Sequence, residues 1–143
     1  MVNSRRKLDL VDEAYDLILR WESHCFAIGI PVMITSTLRD KEYQEYLYAQ
    51  GRTRPGKIVT WTHNSRHLPD ASGKSRAWDF AVLKDGAPCW DVKTDINDND
   101  IPDYLDAAQV ARDLGLVAGA DFKDKKGEPQ PDLCHIELKG DNK

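Results

Sequence analysis

Three short segments carry residue types that could hold a metal ion and activate water. They cover residues 65–67, 77–80 and 132–138. A catalytic zinc ion is usually held by histidine and carboxylate side chains and keeps one position open for water. His67, Asp79 and His135 would supply two imidazoles and one carboxylate, and such a site lowers the pKa of water toward about 7 and polarises a peptide carbonyl. The residue types therefore favour a hydrolytic zinc site.

Acidic residues lie on both sides of the last histidine. A metallopeptidase needs a base that takes a proton from water and returns it to the leaving amine. Asp132 lies three residues before His135 and could reach such a water if the chain enters a strand through a turn. Glu137 lies two residues after His135, on the same face of a strand. It is the alternative base, or an outer partner of the histidine.

Asp79 is the hardest of these residues to explain without a metal. It lies between Trp78 and Phe80 in an apolar run, and a buried carboxylate is costly unless it is paired or bound to a metal. A lone histidine is more often a hydrogen-bonded core or surface residue than a ligand. His67 and His135 therefore gain weight only in combination with Asp79.

Hydrophobic periodicity predicts the elements that position the first two segments. The spacing of apolar residues predicts a helix over residues 7–27, and the short β-branched run Val32–Ser36 predicts a strand. Asp40 is a suitable N-cap for a second helix over residues 41–50. Residues 51–75 predict a long irregular loop, which in a compact domain is usually functional or disordered.

The second half of the chain predicts most of the sheet. Residues 76–83 predict a strand, with a hairpin partner over residues 88–92. Residues 104–114 predict a third helix, and residues 134–138 a last strand. This order predicts an α+β fold, with a small, largely antiparallel sheet flanked by about three helices. No repeat or linker divides the chain, so we expect one domain over residues 1–143.

Composition indicates a globular, acidic chain. Its 143 residues suit one domain, and its formal net charge is −4. No basic block with interleaved aromatic residues is present, which disfavours nucleic acid as a partner, and no apolar run is long enough for membrane insertion.

The cysteines Cys25, Cys89 and Cys134 have no CxxC spacing and are expected to be reduced and structural. A reactive role for Cys134 is the alternative, and we expect a monomer.

Taken together, these segments resemble a known peptidase family. The residues that carry the resemblance are 34–39, Gln44, Leu47, Tyr48, 50–52, 65–67, 77–80 and 132–138. They are similar to the D-alanyl-D-alanine carboxypeptidases and L-alanyl-D-glutamate endopeptidases, and most of all to the single-domain phage endolysins of that family. The Ser-x-His and Asp-x-x-His elements are fairly specific in combination. The resemblance implies a fold of the Hedgehog and D,D-peptidase type.

The resemblance also implies roles for individual residues. The implied ligands of one Zn²⁺ ion are His67, Asp79 and His135. Asp132 would be the catalytic carboxylate. Arg39 would bind a substrate carboxylate or carbonyl near the scissile bond, because a guanidinium matches a carboxylate in shape and charge, and Gln44 would assist in substrate binding. The alternatives are a surface salt bridge for Arg39 and a solvent-facing position for Gln44.

The sequence departs from the family pattern at two places. Eleven residues separate His67 from Asp79, more than is usual in the family, and residues 69–73 look like an insertion. The alternative ligands are Asp70 and His63. The apolar strand context still favours Asp79. Residues 117–122 stand where relatives have a Gly-Gly-Asp-Trp-like run, a change expected to affect packing beneath the site.

The acidic segment 95–103 resembles a calcium-binding loop in part. Oxygen-bearing side chains stand at its first, third and fifth positions. They are Asp95, Asn97 and Asn99. Asp100 replaces the glycine of the sixth position, and Asp106 replaces the glutamate of the twelfth. A solvated acidic loop is therefore the expectation, and Ca²⁺ is the alternative.

These features predict a zinc peptidase that cleaves peptidoglycan stems between L-alanine and D-glutamate and acts as a phage endolysin. The rivals are a D,D- or L,D-carboxypeptidase with the same zinc site and a non-catalytic, zinc-stabilised domain that binds the wall. Residues 1–10 are charged and polar, and no apolar signal core follows them. We therefore expect synthesis in the host cytoplasm and action in the periplasm after release through a pore made by another protein.

Overall fold

The computed structural model describes residues 1–140 and shows three α-helices and five short strands. The elements are α1 Asp12–Ala27, β1 Val32–Ser36, α2 Lys41–Ala49, β2 Ala77–Lys84, β3 Ala87–Cys89, α3 Asp103–Asp113, β4 Val117–Ala118 and β5 His135–Glu137. Single 3₁₀ turns cover Lys7–Asp9 and Gly119–Asp121. Within this part of the chain no helix combines the length and apolar character needed to cross a bilayer.

The strands form one sheet with β2 at its centre. Their order is β1-β2-β5-β4, and β3 pairs with the end of β2. Val82 of β2 lies opposite Val32 of β1, and Asp79 lies opposite His135 of β5. The pairings among the strands described are antiparallel. The predicted α+β architecture with a small antiparallel sheet is therefore confirmed.

Alternation along β2 separates the core from the polar face. Successive side chains of a strand point to opposite faces, so Trp78 and Phe80 share one face and Asp79 takes the other. Trp21 of α1 packs edge-on against both rings, at centroid distances of 5.9 and 4.7 Å. Its indole N–H donates to the carbonyl oxygen of Ala107 in α3 at 3.0 Å. Burial of Phe80 contributes roughly 1.5–3 kcal/mol, and this cluster holds β2 against two helices.

The second helix and the loop after it follow the prediction closely. The Asp40 carboxylate accepts a hydrogen bond from the backbone N–H of Tyr43 at 2.8 Å, which makes Asp40 the N-cap of α2. The chain turns at Gly51, whose φ of +79° favours glycine. In the described structure, residues 52–76 then run as an irregular loop without a helix or an extended strand. This loop delivers His67.

Two predicted elements are corrected. The helix predicted over residues 7–27 is interrupted, because the backbone N–H of Val11 donates to the carbonyl oxygen of Ser75 at 2.9 Å and holds the chain extended before Asp12. The hairpin partner predicted over residues 88–92 is shorter, since β3 ends at Cys89. β4 was not predicted, because a two-residue strand is too short to show an alternating pattern.

Candidate metal centre

Asp79 and His135 are neighbours across the sheet. They are register partners on β2 and β5, and directly opposed residues of an antiparallel pair present their side chains on the same face. His135 Nδ1 lies 3.1 Å from Asp79 Oδ1. Trp78 and Ile136, which are also register partners, are fully buried. Strand alternation therefore places a polar pair on a rigid floor whose other face is core.

His67 reaches the same carboxylate from the loop between α2 and β2. Its Nε2 lies 3.1 Å from Asp79 Oδ1, and its Nδ1 lies 2.7 Å from the carbonyl oxygen of Thr37. The Ser65 hydroxyl accepts a hydrogen bond from the backbone N–H of His67 at 3.1 Å. The carbonyl oxygen of His67 accepts one from the backbone N–H of Arg39 at 2.9 Å. The imidazole is therefore fixed although it lies on a loop.

The three predicted ligands converge on one point. His67 Nε2, Asp79 Oδ1 and His135 Nδ1 belong to a group whose ligand atoms all lie within 4.8 Å of one another. In a tetrahedral site with zinc–ligand bonds of about 2.0–2.1 Å, ligand atoms lie roughly 3.3 Å apart. That separation is close to the 3.1 Å between the carboxylate oxygen and each imidazole nitrogen. The donor set therefore fits a divalent ion such as zinc.

The two alternative ligands lie outside this group. The Asp70 carboxylate accepts hydrogen bonds from the backbone N–H and hydroxyl of Ser72, within a local turn. His63 is exposed, stacks on Tyr48 at a centroid distance of 3.6 Å, and lies 2.9 Å from the Glu45 carboxylate. The extra residues before β2 thus form a surface turn and leave Asp79 in its strand.

The ionisation of the cluster follows from burial and mutual contact. Burial raises the pKa of Asp79, but attraction to His67 and hydrogen bonds from His135 and His67 outweigh it and hold this pKa well below its usual value. Burial lowers the pKa of His67. Burial also acts to lower the pKa of His135, but hydrogen bonds with Asp79 and Glu137 raise it to about 10. At neutral pH without a metal, His135 is protonated, and a bound cation must displace that proton.

Glu137 and Arg66 form an outer layer around His135. His135 Nε2 lies 2.8 Å from Glu137 Oε1, and Arg66 Nε lies 3.6 Å from Glu137 Oε2. Of the two roles considered for Glu137, this geometry matches the outer partner. Sequence reasoning gave no role to Arg66, although its place directly before His67 was a signal. It also missed the Thr37 carbonyl, because a backbone acceptor carries no residue-type signal.

Arg39 contacts the carboxylate of the cluster. Its Nη2 donates to Asp79 Oδ2 at 2.6 Å, and its Nη1 donates to Gln44 Oε1 at 3.2 Å. Gln44 is fully buried and its amide also donates to the carbonyl oxygen of Thr62 at 2.7 Å. The side chains of Arg39 and Asp79 are only 12% and 11% exposed, so their ion pair is not on the open surface, and Gln44 does not face solvent. Arg39 also lines the cleft described below, and its Nε is buried without a hydrogen-bond partner in the described chain.

Asp132 lies in the turn that leads into β5 and lines the cleft described below. Its carbonyl oxygen accepts from the backbone N–H of His135 at 3.2 Å. Burial raises the pKa of its carboxyl, and the negative charge of Asp79 adds to this. A raised pKa makes a carboxylate a stronger base, as proton transfer from water requires. Burial also raises the pKa of the Cys134 thiol well above its usual value, which keeps that thiol protonated and disfavours a reactive role.

Gly119 lets the chain pack tightly behind this turn. Its carbonyl oxygen accepts from the backbone N–H of Asp132 at 2.8 Å. A Cβ atom on Gly119 would lie 2.1 Å from the carbonyl oxygen of Asp132 and 2.9 Å from the Cβ atom of His135. Only glycine allows this approach. Residues 117–122, expected to affect packing beneath the site, therefore include a direct contact with the turn that carries Asp132.

An open cleft of about 890 Å³ leads to the cluster. Asp79 and His135 line it from the sheet, and its walls include residues of α2 and of three further segments. The lining residues of these segments are 58–62, 64–66, 90, 92, 122, 123 and 130–134. Its volume lies in the upper part of the range of roughly 300–1,000 Å³ for ligand sites. The space suits an extended ligand that passes over the cluster.

A second acidic group differs from the calcium-loop pattern. Side-chain oxygens of Asp95, Asp98 and Asp100 lie within 4.8 Å of one another. The third and fifth positions of the pattern do not join them, because Asn97 donates to the carbonyl oxygen of Ile28 and Asn99 donates to Asp106. The arrangement at the first, third and fifth positions is therefore not formed.

Comparison with known proteins gives one similar sequence. No family model matches the chain. The chain is 37% identical over 111 residues to the peptidoglycan L-alanyl-D-glutamate endopeptidase CwlK of Bacillus subtilis, a match that covers 77% of this chain and 62% of that protein. The chain thus spans less than two thirds of the length of this relative.

Solved structures with low sequence identity share the fold. The L-Ala D-Glu endopeptidase ChiX of Serratia marcescens aligns with a TM-score of 0.60 and 18% identity, over 96% of this chain and 89% of that chain. The D,D-dipeptidase VanXYg aligns with a TM-score of 0.57 and 16% identity, over 90% and 50%. The LD-carboxypeptidase LdcB aligns with a TM-score of 0.58 and 14% identity, over 90% and 58%. The resemblance seen in the sequence is thereby confirmed: the chain is similar in sequence to an L-alanyl-D-glutamate endopeptidase and similar in fold to these three peptidases.

Proposed function

We propose that the chain is a zinc peptidase that hydrolyses the bond between L-alanine and D-glutamate in peptidoglycan stem peptides. One observation carries the proposal: His67, Asp79 and His135 converge at the floor of an open cleft whose wall holds Asp132. The similarity to CwlK, an L-alanyl-D-glutamate endopeptidase, supports the choice of bond.

The metal site is built to receive a small divalent cation. When bound by His67, Asp79 and His135, zinc supplies a Lewis acid that polarises the scissile carbonyl and makes water more acidic. The outer contacts with Thr37 and Glu137 orient the two imidazoles toward the cation. Manganese or cobalt could fill the same donor set, so zinc is part of the proposal.

The residues of the cleft then have separate tasks. Asp132 takes a proton from the attacking water and returns it to the leaving amine of D-glutamate, and its raised pKa suits both steps. Arg39, which lines the cleft, uses its guanidinium to hold a substrate carboxylate or carbonyl oxygen. Gln44 holds Arg39 in place and acts on the substrate through it.

A carboxypeptidase is the second candidate. The likeness to the solved structures of VanXYg and LdcB favours it, since a D,D-dipeptidase and an LD-carboxypeptidase have this fold. The two activities differ in where the substrate may extend. An endopeptidase needs room on both sides of the scissile bond, and a cleft of about 890 Å³ bounded by three separate segments offers such room.

The biological setting is a further proposal. We propose that the chain acts as a phage endolysin, made in the host cytoplasm and active on the wall in the periplasm after release. The resemblance of its motifs to single-domain phage endolysins supports this role. Expression of the chain together with a pore-forming partner should lyse a bacterial host, and expression of either alone should not.

Digestion of purified cell wall tests the proposed activity. The zinc-loaded protein should produce new D-glutamate amino termini, identified by mass spectrometry of the fragments. Asp132→Asn should lower the rate by about 10²–10⁴-fold while the metal content stays unchanged. Release of terminal D-alanine alone would favour the carboxypeptidase, and an equal effect of both proteins on the wall would favour a non-catalytic binding domain.

A further inference from the structure

A second groove of about 420 Å³ continues from the cleft. Three residues line both spaces, so the groove lies next to the cleft: Trp61, Lys123 and Gln130. The rest of the lining comes from residues 124–126. We call this space the lysine groove, because three of its six lining residues are lysines.

A hairpin-like loop over residues 122–130 presents the lysines. Backbone hydrogen bonds join Asp124 to Glu128 and Gln130 to Phe122 across it, at 2.9 and 2.8 Å. The carboxylate of Asp124, the acidic residue of the groove, accepts the backbone N–H groups of Lys126 and Glu128. It is therefore engaged in closing its own turn.

The ammonium groups stay available. The lysines of the groove are Lys123, Lys125 and Lys126. All three are exposed, and none forms a salt bridge with another residue in the region the structure describes. A further cation lies near Trp61, because the Arg52 guanidinium is 5.7 Å from the centroid of this ring. The groove is thus locally basic in a chain whose net charge is −4, and an anionic ligand fits it.

We propose that the lysine groove binds the free carboxylates of the stem peptide on the leaving-amine side of the scissile bond. This inference rests on the proposed function and names the side of the substrate that the groove receives. D-Glutamate is joined through its γ-carboxyl, so its α-carboxylate stays free, and later stem residues carry further carboxylates. The N-acetylated sugars before the scissile bond are uncharged. The lysines of the groove would therefore attract the substrate on the leaving-amine side of the scissile bond and not on the sugar side.

Phe122 links the metal ligands to the start of the lysine-bearing loop. The Phe122 ring lies 5.4 Å from the His135 ring, and Lys123 follows Phe122 directly. Lys123 also lines the same cleft as His135. An extended residue spans roughly 3.3–3.6 Å, so carboxylates one to three residues past the scissile bond come within reach of the lysines.

Direct binding tests the groove separately from catalysis. The probe is the synthetic stem tetrapeptide L-Ala-γ-D-Glu-diaminopimelyl-D-Ala, titrated by calorimetry into the Asp132→Asn protein so that no hydrolysis occurs. The test variant adds three substitutions: Lys123→Gln, Lys125→Gln and Lys126→Gln. A charge-matched control instead adds three substitutions at exposed lysines that line neither space: Lys84→Gln, Lys93→Gln and Lys139→Gln.

The test variant should bind the probe about tenfold more weakly, because it loses three exposed charge contacts of modest strength each. The control should keep the original affinity, and the same peptide with every free carboxylate amidated should bind the two proteins equally. Three outcomes would overturn the proposal. The probe could fail to bind at all, the test variant and the control could bind it with equal affinity, or the test variant could lose as much affinity for the amidated peptide as for the probe. Wall hydrolysis by the wild type tests the proposed function independently. The protein can cleave the wall even if the lysines do not bind the probe, and the lysines can bind the probe even if the wall is not cleaved.

Discussion

Two groups of side chains in the described part of the chain bring potential ligand atoms within 4.8 Å of one another, and they differ in nearly every other respect. The first is His67, Asp79 and His135, and all three are buried. The second is Asp95, Asp98 and Asp100, on a loop where Asp98 and Asp100 are exposed. The first mixes imidazole and carboxylate, whereas the second is carboxylate alone.

The difference shows that closeness of potential ligand atoms does not by itself identify a metal site. In the buried group, the atoms that do not face the shared point have partners of their own: Thr37, Arg39 and Glu137. In the exposed group, the Asp95 carboxylate accepts the backbone N–H groups of Asn99 and Asp100. One group is oriented toward a common centre by outer contacts, and the other closes a turn. Orientation by such partners distinguishes a metal site from a crowded loop.

Metal content should give the largest contrast between the two groups. Asp79→Ala removes the carboxylate shared by both imidazoles, and we expect the purified protein to lose its bound zinc. Asp98→Ala should keep about one zinc per chain, because that carboxylate belongs to the other group. Asp70→Ala is a matched control for the insertion and should also keep zinc. Loss of zinc from Asp70→Ala or Asp98→Ala, measured by elemental analysis, would reverse the assignment.

Removal of an outer partner should have a smaller effect. Glu137→Gln keeps the shape of the side chain but removes the charge next to His135 Nε2. We expect zinc affinity to fall by about 10–100-fold, as measured by competition with a chelator. Glu128→Gln removes a charge from an exposed loop residue and should leave the affinity unchanged. Equal affinities for the two variants would mean that the outer contact does not orient the ligand.

The structural features that depend on residue type and local pattern could be predicted from the sequence. β1 and the N-cap of α2 appear as expected, because β-branched alternation and a capping aspartate are local signals. Asp79 stood out because a carboxylate between two aromatic residues requires a partner. The three ligands could be predicted together because each lies in a segment with a recognisable motif.

Other features depend on contacts between distant segments and leave no local trace. The end of the first predicted helix is set by a hydrogen bond from Val11 to Ser75. The need for glycine at position 119 comes from the approach of Asp132, thirteen residues later in the chain. The buried position of Gln44 depends on the loop that folds over α2 and accepts its amide at Thr62. These relations become visible only when the chain is folded.

Added calcium should produce the smallest effect, and its addition directly tests the exposed group of Asp95, Asp98 and Asp100. We expect no heat of binding and no change in Tm when Ca²⁺ is titrated into the zinc-loaded protein. Calcium prefers several oxygen ligands arranged around one point, but Asp95 is occupied by backbone donors and Asn97 donates to Ile28. A saturable heat that disappears in Asp98→Ala would show that these carboxylates exchange their backbone donors for an ion. The two groups would then differ in burial and in the metal that they prefer, and ligand orientation would no longer distinguish a metal site from a loop.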